Sequence, residues 1–111
     1  MPMSSCTLAA PFRADVAIGH DEAIVKLAGE LDIDSADALE RTVAELHTTG
    51  HDRIVVDLSR VEFIDSTGLR VLLGLHRSSE REGRLLGLVR GPRPVHRMFE
   101  LTATAPLFHW R

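Results

Sequence analysis

The segment RIVVDLSRVEFIDSTGLRVLL, residues 53–73, joins two apolar runs through a short polar box, DSTG. RIVVDL is rich in β-branched residues and apolar on both faces, which is typical of a strand buried in the middle of a helix-covered sheet. VEFID follows two residues later, and the leucine-rich run over residues 69–81 predicts a helix that Gly83 can end. The polar box therefore stands where a strand ends and a helix begins.

Alternating strands and helices are predicted on both sides of this segment. Residues 12–18 and Ala23–Leu31 alternate in polarity as strands do. The next stretch, DIDSADALERTVAELHTTG, has an apolar stripe at helical spacing, with Asp34 or Ser35 as the capping side chain and Gly50 as the stop. Residues 84–89 predict another buried strand, Pro94 opens a third helix, and residues 108–110 predict a last short strand.

This order predicts one α/β domain over residues 1–111. Strands that alternate with helices imply a mixed, mainly parallel sheet, here of four to five strands, with the helices packed largely on one face. The first eleven residues are expected to form a poorly ordered N-terminal segment. Cys6 is expected to be an ordinary residue within it.

Composition narrows the classes of function. The chain has 111 residues, of which 44% are apolar and 26% are charged, as in soluble globular domains. Its net charge of −3 argues against direct binding of nucleic acid. The single cysteine fits a reducing cytoplasm, the N-terminus does not look like a secretory signal, and no run approaches the ~20 apolar residues of a membrane span. We therefore expect a cytoplasmic protein, a monomer or weak dimer, that does not bind membranes.

The polar box has a plain structural interpretation and a functional one. Asp65 or Ser66 can cap the following helix, as in many proteins. However, Gly68 stands where alanine would favour the helix by ~1 kcal/mol, which indicates a close approach by another backbone. The apolar arc that begins at Leu69 is wider than one buried stripe, so part of it is available to a partner. A serine at an exposed helix N-terminus is also well placed to carry a phosphate, which free amides favour and Asp65 opposes.

Three stretches together resemble the STAS domain of bacterial anti-sigma-factor antagonists. They are GELDIDSADAL, IVVDLSRVEFIDSTGLRVLLGLHRSSEREGRLLGLV and PVHRMFELTATAPLF, and the resemblance extends from about Phe12 to the end of the chain. The DSTGL box after a VDLS strand, with GELD upstream, is rather specific to that family.

The resemblance implies a phosphorylation switch at Ser66. In that family the matching serine is phosphorylated by the partner, an anti-sigma factor that is a serine kinase, and a phosphatase reverses the modification. The unphosphorylated antagonist binds the kinase and frees a sigma factor. Asp32 matches a position near this serine at the partner surface. The expected partner-binding residues are Glu30, Asp32, Asp65, Ser66, Thr67, Gly68 and Leu69. No cofactor, metal or enzymatic activity is expected.

Other readings of the same residues are weaker. A small hydrolase using Ser66 would need Gly-x-Ser-x-Gly, and the first glycine is absent. Asp57 ends an apolar strand as in phosphoacceptor receivers, but the acidic pair and late lysine of that class are missing, so it is interpreted as a structural hydrogen-bond acceptor. The histidines are too scattered to indicate a metal site, and His76 is predicted on a helix surface.

Two alternatives stay open. One is a STAS protein that serves as a scaffold in a stress-signalling complex, and the other is a subunit of a lipid-transport complex. Arg70, Arg77 and Arg81 are predicted to share one face of the second helix, as a solvated surface or as a determinant of partner choice.

Overall fold

Five strands form one mixed sheet in the computed structural model, which describes residues 11–111. Their order in the sheet follows the chain, and only the first pair is antiparallel. This confirms the predicted fold class. The predicted poorly ordered segment comprises residues 1–11 and includes Cys6. Of these residues, only Pro11 lies within the described range, so both predictions stay predictions. The strands are β1 Arg13–Ile18, β2 Ala23–Leu31, β3 Arg53–Ile64, β4 Leu85–Val89 and β5 His109–Trp110.

Three helices cover one face of this sheet: α1 Ala36–Thr48, α2 Ser66–Arg81 and α3 Arg93–Leu101, with a short 3-10 turn at Ala105–Leu107. Their buried side chains and those on one face of the strands form a single core, because every second residue of β2 points toward the helices. Gly50 and Gly83 follow α1 and α2 with positive φ angles of 91° and 70°, a conformation that glycine adopts without strain. The predicted helix stops are thereby confirmed.

The central strand β3 is longer than the sequence indicates. The two runs RIVVDL and VEFID are one continuous strand of 12 residues. β4 pairs with β3 only as far as Asp57, whereas β2 continues beside β3 to Ile64 through two register irregularities. The prediction that Asp57 ends a strand is therefore wrong, although its carboxylate does accept a hydrogen bond, from the Ser59 amide at 2.8 Å. The extension carries the DSTG box past the end of β4.

An aromatic cluster closes the other end of the core. Phe99 of α3 meets Phe108 and Trp110 edge-on, at ring centroid distances of 5.5 and 5.1 Å. Trp110 thereby packs against the third helix, and its Nε1 donates to the Ala105 carbonyl at 2.7 Å. His76 lies in this cluster and is only 8% exposed, so its predicted surface position is wrong. The chain returns over α2 at residues 108–109, which local sequence patterns do not reveal.

His96 is a second buried histidine in the same region, stacked on Phe99. Burial lowers the pKa of its ring below the ordinary 6.5, Arg90 and Arg93 lower it further, and Glu100 partly offsets them. The folded protein therefore resists a protonation that the unfolded chain accepts. The stabilisation from neutral His96 is complete above about pH 6.5 and is lost as the pH falls below that value.

We predict that acidification from pH 7.5 to 5.5 lowers the unfolding free energy, and that His96 contributes to this fall because burial holds its pKa below the ordinary value. His96→Phe, which keeps an aromatic ring but cannot titrate, should show a smaller fall than the parent chain in urea unfolding at the two pH values. His20→Ala is the matched control, because the side chain of His20 is 97% exposed. An identical pH dependence in His96→Phe and the parent would contradict this assignment.

Candidate functional site

The first turn of α2 is held against the C-terminal end of β2. Asp65 is the N-cap residue, and its Oδ1 accepts a hydrogen bond from the Gly68 amide at 2.9 Å. The Asp65 amide in turn donates to the Leu31 carbonyl at 3.3 Å. Leu31 is also the register partner of Ile64, so the sheet and the cap fix the same junction. Of the two predicted capping residues, Asp65 is confirmed.

Glycine is required at position 68 because the backbone there lies against the Leu31 carbonyl. A Cβ at this position would overlap the carbonyl oxygen of Leu31, which belongs to the backbone and cannot rotate away. The predicted close approach of another backbone is therefore confirmed. Leu69, the next residue, is 7% exposed and belongs to the core. Gly68 and Leu69 are among the residues predicted to bind a partner, and the structure buries both in the first turn of α2.

Ser66 and Thr67 form the outer side of the same turn. Ser66 is exposed and Thr67 is half-buried. As the first two residues of α2, they carry amides that no helical carbonyl can reach. No hydrogen bond in residues 11–111 occupies those two amides. An anionic group on Ser66 would therefore find both free donors and the positive end of the helix dipole beside it.

The end of β2 and the loop that follows it, residues 30–35, lie next to this turn, because Leu31 is in direct contact with it. Oδ1 of Asp32 accepts from the amides of Asp34 and Ser35 at 3.0 and 3.3 Å. Ser35 Oγ donates to the Glu30 carbonyl at 2.7 Å and accepts from the Asp32 amide at 2.9 Å. Ser35 is the N-cap residue of α1, but its side chain folds back onto the loop and makes no capping bond, contrary to the prediction. Asp32 thus holds the conformation of the loop that follows Leu31.

Ile33 is an apolar residue that the sequence reasoning did not single out. It is 71% exposed at the tip of this loop, between Asp32 and Asp34. The sequence signal for this exposed residue was an isoleucine inside the acidic run DIDS. An apolar side chain in a polar loop that does not pack into the core points into solvent or contacts a partner. The site therefore combines an exposed hydroxyl, two carboxylates and one exposed aliphatic side chain.

The exposed side of α2 is basic. Arg70, Arg77 and Arg81 are all exposed and spaced at helical repeats, as predicted. Two of them, Arg77 and Arg81, line an open cavity of about 440 Å³ together with His76 and Glu80. The site at Ser66 and this cavity occupy opposite ends of the same helix.

Comparison with known proteins identifies the class. The family model described as "Mlab, STAS domain" matches residues 14–106. The anti-sigma-F factor antagonist RsfB of Mycobacterium tuberculosis is 37% identical over 89 residues, which are 75% of this chain and 70% of RsfB. The anti-sigma-B factor antagonist of Staphylococcus aureus is 31% identical over 85 residues, 77% of this chain and 79% of that protein.

Solved structures of anti-sigma factor antagonists have the same fold as this chain. An anti-sigma factor antagonist from Mycobacterium paratuberculosis superposes with a TM-score of 0.79 at 29% identity, covering 93% of this chain and 89% of its own. Unphosphorylated SpoIIAA has the same fold, with a TM-score of 0.72 at 21% identity over 91% of this chain and 88% of its own. The chain belongs to the STAS domain family, in the group of anti-sigma factor antagonists. Within residues 11–111, no helix has the length and apolar character needed to cross a membrane.

The contact between Gly68 and Leu31 predicts opposite effects for two glycines of α2. Gly68→Ala should lower the unfolding free energy by about 1–3 kcal/mol, because the added methyl group overpacks against a carbonyl. Gly74→Ala, in the same helix with open space at its Cβ position, should raise it by up to about 1 kcal/mol. Chemical denaturation of both variants checks this, and equal effects would show that helix propensity alone acts at Gly68.

Proposed function

We propose that this chain, without phosphate, binds an anti-sigma factor with serine kinase activity and so releases a sigma factor. Phosphorylation of Ser66 ends the binding, and a phosphatase restores it. The observation that carries the proposal is the exposed Ser66 at the first position of α2, in a turn built by the Asp65 cap and Gly68. The anti-sigma factor antagonists among its relatives support the partner class.

The turn suits a serine that a kinase must reach. Its hydroxyl is on the surface, while the residues that fix its position, Gly68 and Leu69, are buried. A kinase can therefore reach the Ser66 hydroxyl without unfolding α2. Thr67, half-buried one residue later, offers a less accessible hydroxyl. We accordingly assign the phosphate to Ser66 and not to Thr67.

The switch acts by local charge. A phosphate brings about −1.5 to −2 charges, and the free amides of Ser66 and Thr67 can receive it within the same domain. Asp65 precedes Ser66 directly, and Asp32 follows Leu31, which contacts this turn, so the modified turn becomes strongly negative. A partner surface that fits a neutral hydroxyl would have to bury these charges unpaired, which costs several kcal/mol. Since each 1.4 kcal/mol is a tenfold change in affinity, this repulsion ends binding without any change of fold.

The partner surface is proposed to consist of the exposed parts of the two neighbouring segments. Glu30 and Asp32 contribute from the loop, and Asp65, Ser66 and Thr67 from the turn. Ile33 adds the apolar contact that acidic residues alone lack, because buried aliphatic area stabilises a complex where rim charges contribute little. Gly68 and Leu69 act indirectly, by setting where the turn lies.

The rival functions are separated by specific observations. In residues 11–111 the hydrogen bonds of histidine rings go to Thr49, Leu46 and Glu80, so no histidine in that range activates Ser66 as a nucleophile. This disfavours the hydrolase. A stress-complex scaffold or a lipid-transport subunit would share the fold without needing a phosphorylatable serine. A serine-kinase anti-sigma factor encoded beside the gene would favour the proposed cytoplasmic switch.

The proposal predicts one phosphate on Ser66. Incubation with ATP and the serine-kinase anti-sigma factor of the same genome should add one phosphate by intact mass, and peptide mapping should place it on Ser66. Thr67→Ala should be phosphorylated like the parent chain, whereas Ser66→Ala should not be modified and should stay bound to the kinase in a pull-down. Ser66→Asp should bind at least tenfold more weakly. Phosphate on Thr67, Ser78 or Ser79 would overturn the assignment.

Asp32 has both a structural and a recognition role, and two substitutions separate them. Asp32→Asn keeps an oxygen that accepts from the Asp34 and Ser35 amides but removes the charge, so unfolding free energy should change by less than about 0.5 kcal/mol while kinase binding weakens. Asp32→Ala loses the acceptor too and should be less stable by about 1 kcal/mol. Thermal unfolding and titration calorimetry with the kinase measure the two effects. If Asp32→Asn binds the kinase with the affinity of the parent chain, the Asp32 charge is not part of the interface.

A further inference from the structure

Three metal-ligating side chains from distant parts of the chain meet at the C-terminal half of α2. His76 and Glu80 are four residues apart and therefore share a face of the helix. His109 comes from β5, and its Nε2 lies 3.4 Å from Glu80 Oε2. The rings of His76 and His109 have centroids 5.3 Å apart. One ligand atom from each of the three residues lies within 4.8 Å of the other two.

We infer that His76, Glu80 and His109 form a binding site for a zinc ion, with a fourth position open to water. Two imidazoles and one carboxylate are a ligand set that Zn²⁺ accepts in tetrahedral geometry. Ligand atoms about 2.0–2.1 Å from zinc are roughly 3.4 Å apart, which is the separation of the Glu80 and His109 atoms. The His76 ring nitrogen lies within 4.8 Å of the other two ligand atoms, so zinc binding requires a side-chain adjustment of roughly 1 Å.

The surroundings of His76 leave its ring available. No hydrogen bond within residues 11–111 involves this ring, and its Nδ1 is buried without a polar partner. A metal at this place therefore displaces no existing hydrogen bond of His76. His109 and Glu80 are about half exposed, so an ion can enter from solvent through the cavity that Glu80 lines.

The charges around the cavity select the kind of ion. Arg77 and Arg81 line the same cavity, although Arg81 donates to Ser78 Oγ. Two guanidinium groups outweigh the single carboxylate of Glu80, which disfavours ions held by charge alone. Mg²⁺ and Ca²⁺ need several oxygen ligands, whereas these three side chains include a single carboxylate. A borderline ion that forms strong bonds to neutral imidazole is favoured instead, and the screening of exposed arginines by salt assists its binding.

A zinc ion here would join β5 to α2. β5 has two residues and pairs with Gly87 and Leu88 of β4, so a zinc ligand from His109 adds a direct bond between β5 and α2 to the strand pairing and the aromatic packing. The site lies ten residues from Ser66, about 15 Å along the helix axis. It is therefore independent of the phosphorylation turn and does not rest on the proposed function.

The test is zinc binding by the full chain carrying Cys6→Ser, because a cysteine can itself bind zinc. Titration calorimetry with ZnCl₂ at 150 mM NaCl should give one site, and saturating zinc should raise the melting temperature by several degrees. His109→Ala and Glu80→Gln, at exposed positions, should each weaken binding at least tenfold and abolish the thermal shift. His20→Ala, an exposed histidine elsewhere, should bind like the parent, and MgCl₂ should have no effect.

His76→Ala is left out of the primary comparison because His76 packs against Phe108, so its loss could unfold the domain. Zinc binding that is weakened at least tenfold in His109→Ala and Glu80→Gln, and kept in His20→Ala, establishes the site. Absence of binding by the Cys6→Ser chain, or equal zinc affinity in His109→Ala, Glu80→Gln and the parent, overturns the inference.

Discussion

The contact between the carbonyl of Leu31 and the backbone at Gly68 is the constraint on which the functional end of the domain depends. The end of β2 and the start of α2 approach so closely that only a residue without a Cβ fits. Asp65 locks the same junction twice, through its amide to Leu31 and its carboxylate to the Gly68 amide. One short stretch of backbone thereby fixes the position of Ser66 relative to the Asp32 loop, although the two are more than thirty residues apart in sequence.

This construction separates the residues that support the turn from those that present it. Gly68 and Leu69 are buried and tie α2 to the core, while Ser66 stays exposed. If Ser66 is phosphorylated as proposed, the fixed turn would hold the added charge at one place on the surface. The free amides at the N-terminus of α2 would then be donors for that phosphate within the same domain.

The opposite end of α2 is organised by different forces. There, aromatic rings and two buried histidines from α2, α3 and the last strand pack together, and polar contacts are few. Neutral imidazole is tolerated in such a place because it is partly apolar and because burial disfavours its charged form. α2 therefore connects a charged, solvent-facing turn to an aromatic anchor, and both ends contact parts of the chain far away in sequence.

The sequence by itself determined the element order, the α/β class, a cap at Asp65 or Ser66, the glycine stops and the need for a close backbone approach at Gly68. Each of these depends on local chemistry: periodicity, capping oxygens, and the absence of a Cβ. Tertiary structure decided that β3 is one strand, since its far half is held by β2 after β4 has ended. It also decided that Leu69 and His76 are buried, that Ser35 folds back onto its own loop, and that His109 meets Glu80. These features come from contacts between segments distant in sequence, and the periodicity of one segment carries no information about which other segment will cover it.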